Sequence, residues 1–508
     1  MAHASSLGIE GFDTRYLDGS TWNRPGEPVK HIETHAAHVF LCGNEAYKIK
    51  KQVHFSYLDF STINKRRSVL EYELALNRAF APNVYKAVTQ VFGEPVLVMR
   101  RFEDSSLLSN IVRERALDEE TCDKLAALIA KSHGEAPPSN VRGGDVMLGL
   151  GKQLENAFRS NPKLFLKSKE DNLSRQFQES LETLWPLFNV RSAKGLVRHC
   201  HGDLHCENII IENGEPMLFD AIEFNDRIAI IDVLYDLAFL LMDLIHFDQQ
   251  RAANLILNTY FDLRREQEDL SGLATLRLFL ATRAGVRALV AADRLSETPK
   301  ASAEEYRDRA RLYFDASAKY ILPVQPKLVC IGGLSGSGKS TLAKHLAHSI
   351  EPVPGALLVR SDIERKLLAG IPAKQHLPPE HYTLGASIAV YDAIVKRARS
   401  AILAGHSVIL DAVFAREEER QMVEKMAHDA HVNFFGFWLD APLEMLKERV
   451  SSRVNDASDA TPNIVDVQYK LPLGNIGWKR LDASGSLNRT AASIMTDLDQ
   501  TKMNHHAA

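Results

Sequence analysis

Residues 333–340 read Gly-Leu-Ser-Gly-Ser-Gly-Lys-Ser and have the G-x-x-x-x-G-K-[ST] spacing of a phosphate-binding loop. Glycines allow successive backbone N–H groups to turn toward an anion, and the N-terminus of a following helix adds positive potential. Lys339 would reach the β- and γ-phosphates, and the Ser340 hydroxyl would ligate Mg²⁺. The predicted nucleotide contacts are Gly333, Ser335, Gly336, Ser337, Gly338, Lys339, Ser340 and Thr341.

The residues on either side of this loop have the patterns of a strand and a helix. Residues 327–331, Lys-Leu-Val-Cys-Ile, predict a short buried strand. Residues 341–350 predict a helix with Leu342, Leu346 and Ile350 on one face. A loop between a strand and a helix is the context that phosphate binding by this motif requires.

A second group of acids and an amide lies upstream. Asp203, on a predicted loop, could accept the proton of an attacking hydroxyl group. Asn208 could ligate Mg²⁺, and Asp220, after a short hairpin, could hold the metal ion that bridges the phosphates of a nucleotide. An acid, an amide and an acid in this order predict a second site for phosphoryl transfer.

The His-Gly-Asp motif at 201–203, with Asn208 and Asp220 after it, resembles the signature of the aminoglycoside phosphotransferase and choline kinase-like family. The resemblance covers about residues 30–320. It implies an α+β protein-kinase-like domain with two lobes. By the same resemblance Asp203 is the catalytic base, and the asparagine and the second aspartate are the Mg²⁺ ligands.

The resemblance also implies a strand lysine that holds the α- and β-phosphates of ATP and a helix glutamate that pairs with it. Lys50 takes the lysine position, and Lys48, on the same face of the predicted strand, is the alternative. Glu73 takes the glutamate position, with Glu71 as the weaker choice. In the competing interpretation these charges belong to a solvated strand edge and a solvent-facing helix.

Two observations keep other interpretations of this region open. No G-x-G-x-x-G loop precedes the strand lysine, so the cover of the phosphates is unexplained, and residues 57–61 are the candidate replacement. The histidines and cysteines of residues 199–206 could also form a zinc cluster, although their spacing does not follow a zinc-finger pattern.

Two apolar strands after the phosphate-binding loop each end in an acid. Asp362 follows the predicted strand 356–359, at the edge of a nucleotide-binding sheet that faces the γ-phosphate, and could deprotonate an acceptor hydroxyl. Asp411 ends the predicted strand 406–411, which has the expected form of a Walker B-like strand. The alternative for both acids is a side chain that caps the helix after its strand.

A predicted helix over residues 443–453 carries Arg449 and Arg453 and has the pattern of a mobile lid whose arginines close over the phosphates. A solvated helix face is the alternative. Residues 327–490 resemble the small P-loop kinases of the gluconate kinase, polynucleotide kinase and zeta-toxin type. This resemblance implies lid roles for the two arginines, an acceptor-activating base at Asp362, and an α/β domain with a parallel sheet. It also implies that Asp411 helps to organise the metal ion or the acceptor.

The length and the prolines of the chain predict two domains. A chain of 508 residues is too long for one hydrophobic core. Two prolines lie in residues 322–326, just before the strand of the phosphate-binding loop, and mark a boundary. We therefore expect a kinase-like α+β domain over residues 1–322 and an α/β P-loop domain over residues 327–508.

The composition excludes several classes of protein. The net charge of −4 provides no field for nonspecific binding to nucleic acid or membranes. The N-terminal residues lack the pattern of a secretory signal, and no apolar run reaches the length of a membrane span. The five cysteines are sparse and lack a C-x-x-C spacing, which predicts reduced thiols in a cytoplasmic protein.

Together these patterns predict a bifunctional phosphotransferase with two ATP and Mg²⁺ sites that acts on hydroxyl groups of small molecules. The missing glycine-rich cover leaves a second hypothesis, in which one degenerate kinase domain binds ATP and regulates the other. A third hypothesis is a polynucleotide 5′-hydroxyl kinase in the C-terminal domain. Asp362 with Arg365 permits that activity, but the net charge of −4 does not favour nucleic acid as a partner.

Overall fold

The computed structural model describes residues 12–34, 36–55, 58–223, 226–265, 267–297, 303–372, 375–452 and 458–505. The strands are β1 Val29–Glu33, β2 Ala37–Cys42, β3 Glu45–Lys50, β4 His54–Phe55, β5 Leu58–Asp59, β6 Tyr85–Val91, β7 Glu94–Arg100, β8 Val197–His199, β9 Ile209–Glu212, β10 Glu215–Leu218, β11 Ile230–Asp232, β12 Lys327–Gly333, β13 Leu357–Arg360, β14 Val408–Asp411, β15 Asn433–Asp440 and β16 Lys479–Asp482. The helices are α1 Ile63–Phe80, α2 Leu108–Glu114, α3 Glu119–Glu135, α4 Gly143–Ser160, α5 Lys167–Ala193, α6 Asp226–Ala229, α7 Val233–His246, α8 Gln250–Leu263, α9 Gln267–Ser271, α10 Leu273–Glu297, α11 Ala303–Tyr320, α12 Lys339–Ala347, α13 Ser361–Leu368, α14 Leu384–Leu403, α15 Glu417–Asp429, α16 Leu443–Ser451, α17 Pro462–Tyr469 and α18 Leu487–His505.

The chain forms two compact units that do not follow chain order. Unit 1 contains Met1–Val146 and Arg191–Phe247, and unit 2 contains Met147–Val190 and Asp248–Ala508. The helices α8 to α11 therefore belong to the same unit as the P-loop sheet. The division into domains 1–322 and 327–508 concerns which segments fold independently, and it stays a prediction.

The five-stranded sheet of unit 1 is antiparallel and has the order β1-β2-β3-β7-β6. The helix α1 packs against β6 and β7 and begins after Thr62, whose hydroxyl accepts a hydrogen bond from the Lys65 N–H. Trp22 stacks on Tyr47 of β3 with ring centroids 4.1 Å apart. Because side chains alternate along a strand, the neighbouring Lys48 points to the opposite face. The sheet and α1 thus position the predicted nucleotide lysines.

The loops that carry the predicted catalytic acids of unit 1 lie between short paired strands. The strand β8 pairs with β11, and β9 forms a hairpin with β10. The loop 200–208 connects β8 to β9, and residues 219–223 follow β10. The helix α7 is buried over most of its length, from Val233 to Leu244, and serves as the apolar base of these loops.

Unit 2 contains a parallel five-stranded sheet in the order β13-β14-β12-β15-β16. The α+β kinase-like region and the α/β region with a parallel sheet agree with the fold predicted from the sequence. One core cluster joins β12 and β15 to α12 and α18 through buried residues such as Val329, Phe437, Leu346 and Ile494. This packing brings the carboxyl ends of β12, β13 and β14 to one edge, where nucleotide sites form in such sheets. Among the described residues, no helix has the length and apolar character needed to span a lipid bilayer.

Candidate active sites

The first candidate site is built around a lysine on β3. Lys48 Nζ lies 2.7 Å from Glu73 Oε1 and 2.7 Å from Asp220 Oδ1. Lys50, two residues along the same face, pairs with the other oxygen of Glu73 at 2.8 Å and with Glu223. The contact with Asp220 therefore belongs to Lys48, and not to Lys50, the residue preferred from the sequence.

These contacts hold the lysine and the glutamate in their charged forms. Burial opposes the charge of Lys48, but Asp220 and Glu73 outweigh it and raise the pKa of Lys48 well above its usual range. Burial alone would raise the pKa of Glu73, but Lys48 and Lys50 lower that pKa to about 2. For Glu223, burial raises the pKa to about 6 although Lys50 acts against it. The solvated-edge interpretation of these charges does not describe this buried cluster.

The backbone around Asp220 is fixed by side chains from the sheet and from α1. The Asp220 N–H donates to the Tyr85 hydroxyl at 2.9 Å, and the Ala221 N–H donates to Asn77 Oδ1 at 2.8 Å. Asp220 has a φ of 58°, in the left-handed region that aspartate tolerates better than most residues. Asn77 lies one helical turn after Glu73, so α1 positions both the lysine partner and the predicted metal ligand. The Asp220 side chain remains 43% exposed, which leaves it accessible to an ion.

The predicted catalytic base lies on a loop held by hydrogen bonds. Asn208 Nδ2 donates to Asp203 Oδ2 and to the Asp203 carbonyl, both at 2.9 Å. Asp236 of α7 accepts from the N–H groups of His201 and Gly202 at 3.2 and 3.0 Å. Because the Asn208 bonds use its nitrogen, its amide oxygen is the atom that would bind Mg²⁺. The structure thus brings the base and the first predicted metal ligand together.

The histidines and cysteines of residues 199–206 are not gathered into the zinc cluster that the sequence left open. His201 donates from Nε2 to the Phe219 carbonyl at 3.0 Å. Within the described part of the chain, the only group of three or more His, Cys, Asp or Glu residues with ligand atoms within 4.8 Å of one another is His133, Cys200 and Asp236, all buried. The Asp236 carboxylate in that group already accepts two backbone N–H bonds and contacts His133 Nε2 at 3.2 Å. This group acts as a hydrogen-bonded support under the loop.

The second candidate site is the loop between β12 and α12. Gly333, Gly336 and Gly338 have φ values of 140°, 87° and 90°, which only glycine adopts without strain. A Cβ on Gly336 would lie 2.3 Å from the Leu446 carbonyl oxygen, so the loop requires glycine there for a close approach as well. Lys339 Nζ donates to the Leu334 carbonyl at 3.0 Å. The predicted strand-loop-helix context is therefore present.

A cavity of about 340 Å³ adjoins this loop and has room for part of a nucleotide. Its lining comes from the loop, from α16 and from the start of α18. The lining includes Gly336, Gly338, Ser340, Thr341, Arg449 and Ser452. Arg449 lines this cavity, and its lid role stays a prediction, whereas the predicted Arg453 lies outside the described residues.

The two predicted acids of unit 2 lie near each other and near Lys339. Asp411 is buried and accepts from Arg360 Nε at 3.3 Å. Burial and the neighbouring Asp411 raise the pKa of Asp362, and Arg360 and Lys339 only partly oppose them. A raised pKa makes this carboxylate a better proton acceptor than an ordinary aspartate. Asp362 lies in the first turn of α13, whose N-cap is Arg360 without a side-chain cap, and the helix after Asp411 has Arg416 as its N-cap. Neither acid is therefore the N-cap of the helix after its strand.

The sequence analysis missed several residues of these sites. Glu223 contributes a charge to the first site, where it pairs with Lys50, and Arg360 contributes one to the second site, where it pairs with Asp411. Gln468 of α17 accepts a hydrogen bond from the Ser335 N–H of the phosphate-binding loop at 2.9 Å. Arg360 directly precedes the Ser-Asp pair at 361–362. Its position at the end of a strand in a nucleotide-binding sheet could have indicated a role at the second site.

Comparison with family models divides the chain into two matched segments. Residues 68–273 match the model of the phosphotransferase enzyme family, and residues 328–470 match the model of an AAA domain. The uncharacterized proteins Rv2004c of Mycobacterium tuberculosis and Mb2027c of Mycobacterium bovis are each 28% identical over 478 residues. Those alignments cover 90% of this chain and 93% of each relative.

Solved structures align with part of this chain at low identity. A choline/ethanolamine kinase family protein from Mesorhizobium loti is 14% identical, with 58% of this chain and 92% of that chain covered and a TM-score of 0.36. A gluconokinase from Sinorhizobium meliloti is 18% identical, with 36% and 97% covered and a TM-score of 0.26. The APS kinase CysC of Mycobacterium tuberculosis is 22% identical, with 35% of this chain and 99% of that chain covered and a TM-score of 0.26.

Proposed function

We propose that this chain, an ATP-dependent kinase that joins a phosphotransferase-family segment to a P-loop kinase segment, transfers the γ-phosphoryl group of ATP at two separate sites. The observation that carries the proposal is that each candidate site collects a buried lysine, a carboxylate suited to a metal ion and an aspartate suited to deprotonate an alcohol. Phosphoryl transfer requires little more than these groups, because catalysis consists of positioning and charge neutralisation.

At the first site, Lys48 is proposed to hold the phosphates, with Lys50 as the second candidate, and Glu73 keeps the lysine in place. The oxygen atoms of Asn208 and Asp220 suit Mg²⁺, which prefers carboxylate and amide oxygens. The ion would neutralise the charge of the phosphates when bound. Asp203 would accept the proton of the acceptor hydroxyl.

At the second site, Lys339 and the backbone N–H groups of the loop are proposed to bind the β- and γ-phosphates. The Ser340 hydroxyl and Asp411 would hold Mg²⁺, and Asp362 would deprotonate the acceptor. Arg449 lines the cavity beside the loop and would contact the phosphates. We propose the same role for Arg453 from the sequence alone.

The proposed acceptors are hydroxylated small molecules, handled by domains 1–322 and 327–508. All five cysteines are buried and none of them forms a disulfide, which supports a reducing compartment such as the cytoplasm. The charged cluster of Lys48, Glu73 and Asp220 favours catalysis over the alternative of a degenerate domain that binds ATP for regulation. A polynucleotide 5′-hydroxyl kinase remains an alternative only for the second site.

The experiment is a measurement of ATP consumption with Mg²⁺ over a panel of sugars, amino alcohols, nucleosides and a 5′-hydroxyl oligonucleotide. Asp203→Asn and Lys339→Met variants of the full chain assign each activity to one site. We expect each variant to lose phosphorylation of one acceptor and to keep that of another. If neither substitution alters any turnover, the proposal is wrong, and if only the oligonucleotide is phosphorylated, the small-molecule assignment of the second site is wrong.

A further inference from the structure

We infer that four charged residues, Asp262, Arg265, Glu364 and Arg397, position α13 and thereby the proposed base Asp362 for proton transfer at the P-loop site. Glu364 and Arg397 are buried, whereas the side chains of Asp262 and Arg265 are 25% and 27% exposed. We call these four residues the α13 cluster. The inference rests on the proposed function of that site. Two of the four residues lie in the segment that matches the phosphotransferase enzyme family, far from the P-loop in sequence. They would be positioning residues for a reaction that the other segment carries out.

The contacts of the α13 cluster link α13 to two other elements of unit 2. Arg265 Nη1 lies 3.2 and 3.1 Å from the two carboxylate oxygens of Glu364. Arg397 of α14 donates to Asp262 Oδ1 at 2.7 Å and to the Phe261 carbonyl at 3.0 Å. The second guanidinium nitrogen of Arg397 lies 3.6 Å from Glu364. One carboxylate on α13 thus contacts two arginines, one after α8 and one on α14.

The position of Glu364 on α13 makes a positioning role possible without contact to substrate. Glu364 lies two residues after Asp362, and side chains two residues apart on a helix do not face each other. The start of the same helix is fixed from the other direction, because Arg360 pairs with Asp411. A short helix held at both of these points presents Asp362 to the P-loop in one orientation. A shift of about 1 Å at such a group can cost roughly a hundredfold in rate.

The helix that precedes Arg265 is itself fixed to the edge of the P-loop sheet. Asn258 of α8 accepts from the Leu358 N–H at 2.6 Å and donates to the Ala356 carbonyl at 3.3 Å. Asn254 donates to the same carbonyl at 3.1 Å. These side chains bond the free edge of β13, the outermost strand of the sheet, where backbone groups need partners. Asp262 and Arg265 of the α13 cluster therefore lie at the end of a helix, α8, that is hydrogen-bonded to the sheet.

The experiment measures ATP turnover that depends on Lys339, together with hydrogen exchange of the α13 amides, in the full chain. The variants are Arg265→Met and Glu364→Gln, alone and combined with Asp362→Asn. The matched control is Arg309→Met on α11, which removes an ion pair between α11 residues Arg309 and Glu305 in the same unit. We expect Arg265→Met to speed exchange in α13, to lower kcat about tenfold to a hundredfold and to leave the KM for ATP within about twofold. The control is expected to change none of these quantities.

The combination with Asp362→Asn separates positioning from general loss of stability. If Arg265 acts through the base, Arg265→Met lowers kcat no further once that base is absent, so the two effects are not additive. Additive losses, or unchanged exchange in α13, would overturn the inference. If the wild-type chain shows no Lys339-dependent turnover, the proposed function of the site fails. In that case the exchange of the α13 amides alone tests whether the α13 cluster positions the helix, and unchanged exchange in Arg265→Met still overturns the inference.

Discussion

The two candidate phosphate sites of this chain are assembled in opposite ways. The first site collects side chains from distant segments, since Lys48 and its partner Asp220 are 172 residues apart. The second uses eight consecutive residues whose backbone forms the binding surface, with acids added from the ends of neighbouring strands. The first therefore depends on tertiary packing at every residue, whereas the phosphate-binding loop depends mainly on its own glycines and lysine.

The largest expected effect separates the two sites by their chemistry. Asp203→Asn removes the proposed base of the first site and should lower the rate of that transfer by about 10²- to 10⁴-fold. The rate of the transfer that depends on Lys339 should stay within twofold, because the substituted residue is not part of that site. The measurement is product formation for one acceptor of each site in the same preparation. Parallel loss of both products would mean that the two regions do not act separately.

The next effect tests which lysine of β3 serves the nucleotide. Lys48→Met should raise the KM for ATP and lower kcat at the first site by about a hundredfold, because this lysine contacts the proposed metal ligand. Lys50→Met should cost about tenfold or less, since Lys50 pairs with Glu73 and Glu223 inside the protein. Steady-state kinetics of both variants provide the test. A larger loss in Lys50→Met than in Lys48→Met would assign the phosphate-binding role to Lys50.

The choice between these lysines shows why one site could be predicted more completely than the other. Eight consecutive residues encode the phosphate-binding loop, so its spacing alone identified it. Lys48 and Lys50 lie two residues apart on the same strand face, and only the position of Asp220 in the folded chain distinguishes them. The ion pair of Arg265 with Glu364 spans 99 residues, and no sequence pattern marks such a contact.

The glycines of the second site allow a test of its dependence on local backbone. Gly336→Ala should lower the stability of unit 2 by about 2–4 kcal/mol, because the left-handed backbone is strained and the new Cβ meets the Leu446 carbonyl. Gly338→Ala is the matched control, since its φ is similar but no atom lies within 4 Å of the added Cβ, and it should cost about 1 kcal/mol. Thermal unfolding with and without ATP measures both. Equal losses would contradict the close approach of α16.

The smallest expected effect concerns acid stability near the parallel sheet. Burial lowers the pKa of His406 to about 4, while its Nε2 donates to the Gly355 carbonyl at 2.9 Å. The folded chain therefore favours neutral His406, and this contribution is complete above about pH 6.5 and is lost as the pH falls toward 4. The loss should reach on the order of 2 kcal/mol in the local stability of β13 and β14. Hydrogen exchange of those strands between pH 7 and 5, corrected for intrinsic rates, measures it.

The control for this pH effect is His406→Gln, which keeps a donor for the Gly355 carbonyl but does not titrate. The variant should show a flat local stability over the same range. In unit 1, burial also lowers the pKa of His38 to about 4, and that side chain is likewise buried. A pH dependence that persists in His406→Gln would assign the effect to another group.

The most direct test of two separate nucleotide sites is an equilibrium titration of the full chain with a non-hydrolysable ATP analogue and Mg²⁺. We predict two analogue molecules bound per wild-type chain, one per chain in Lys339→Met and one per chain in Lys48→Met. A wild-type stoichiometry of one would contradict the account, as would two bound molecules that both disappear with a single lysine substitution.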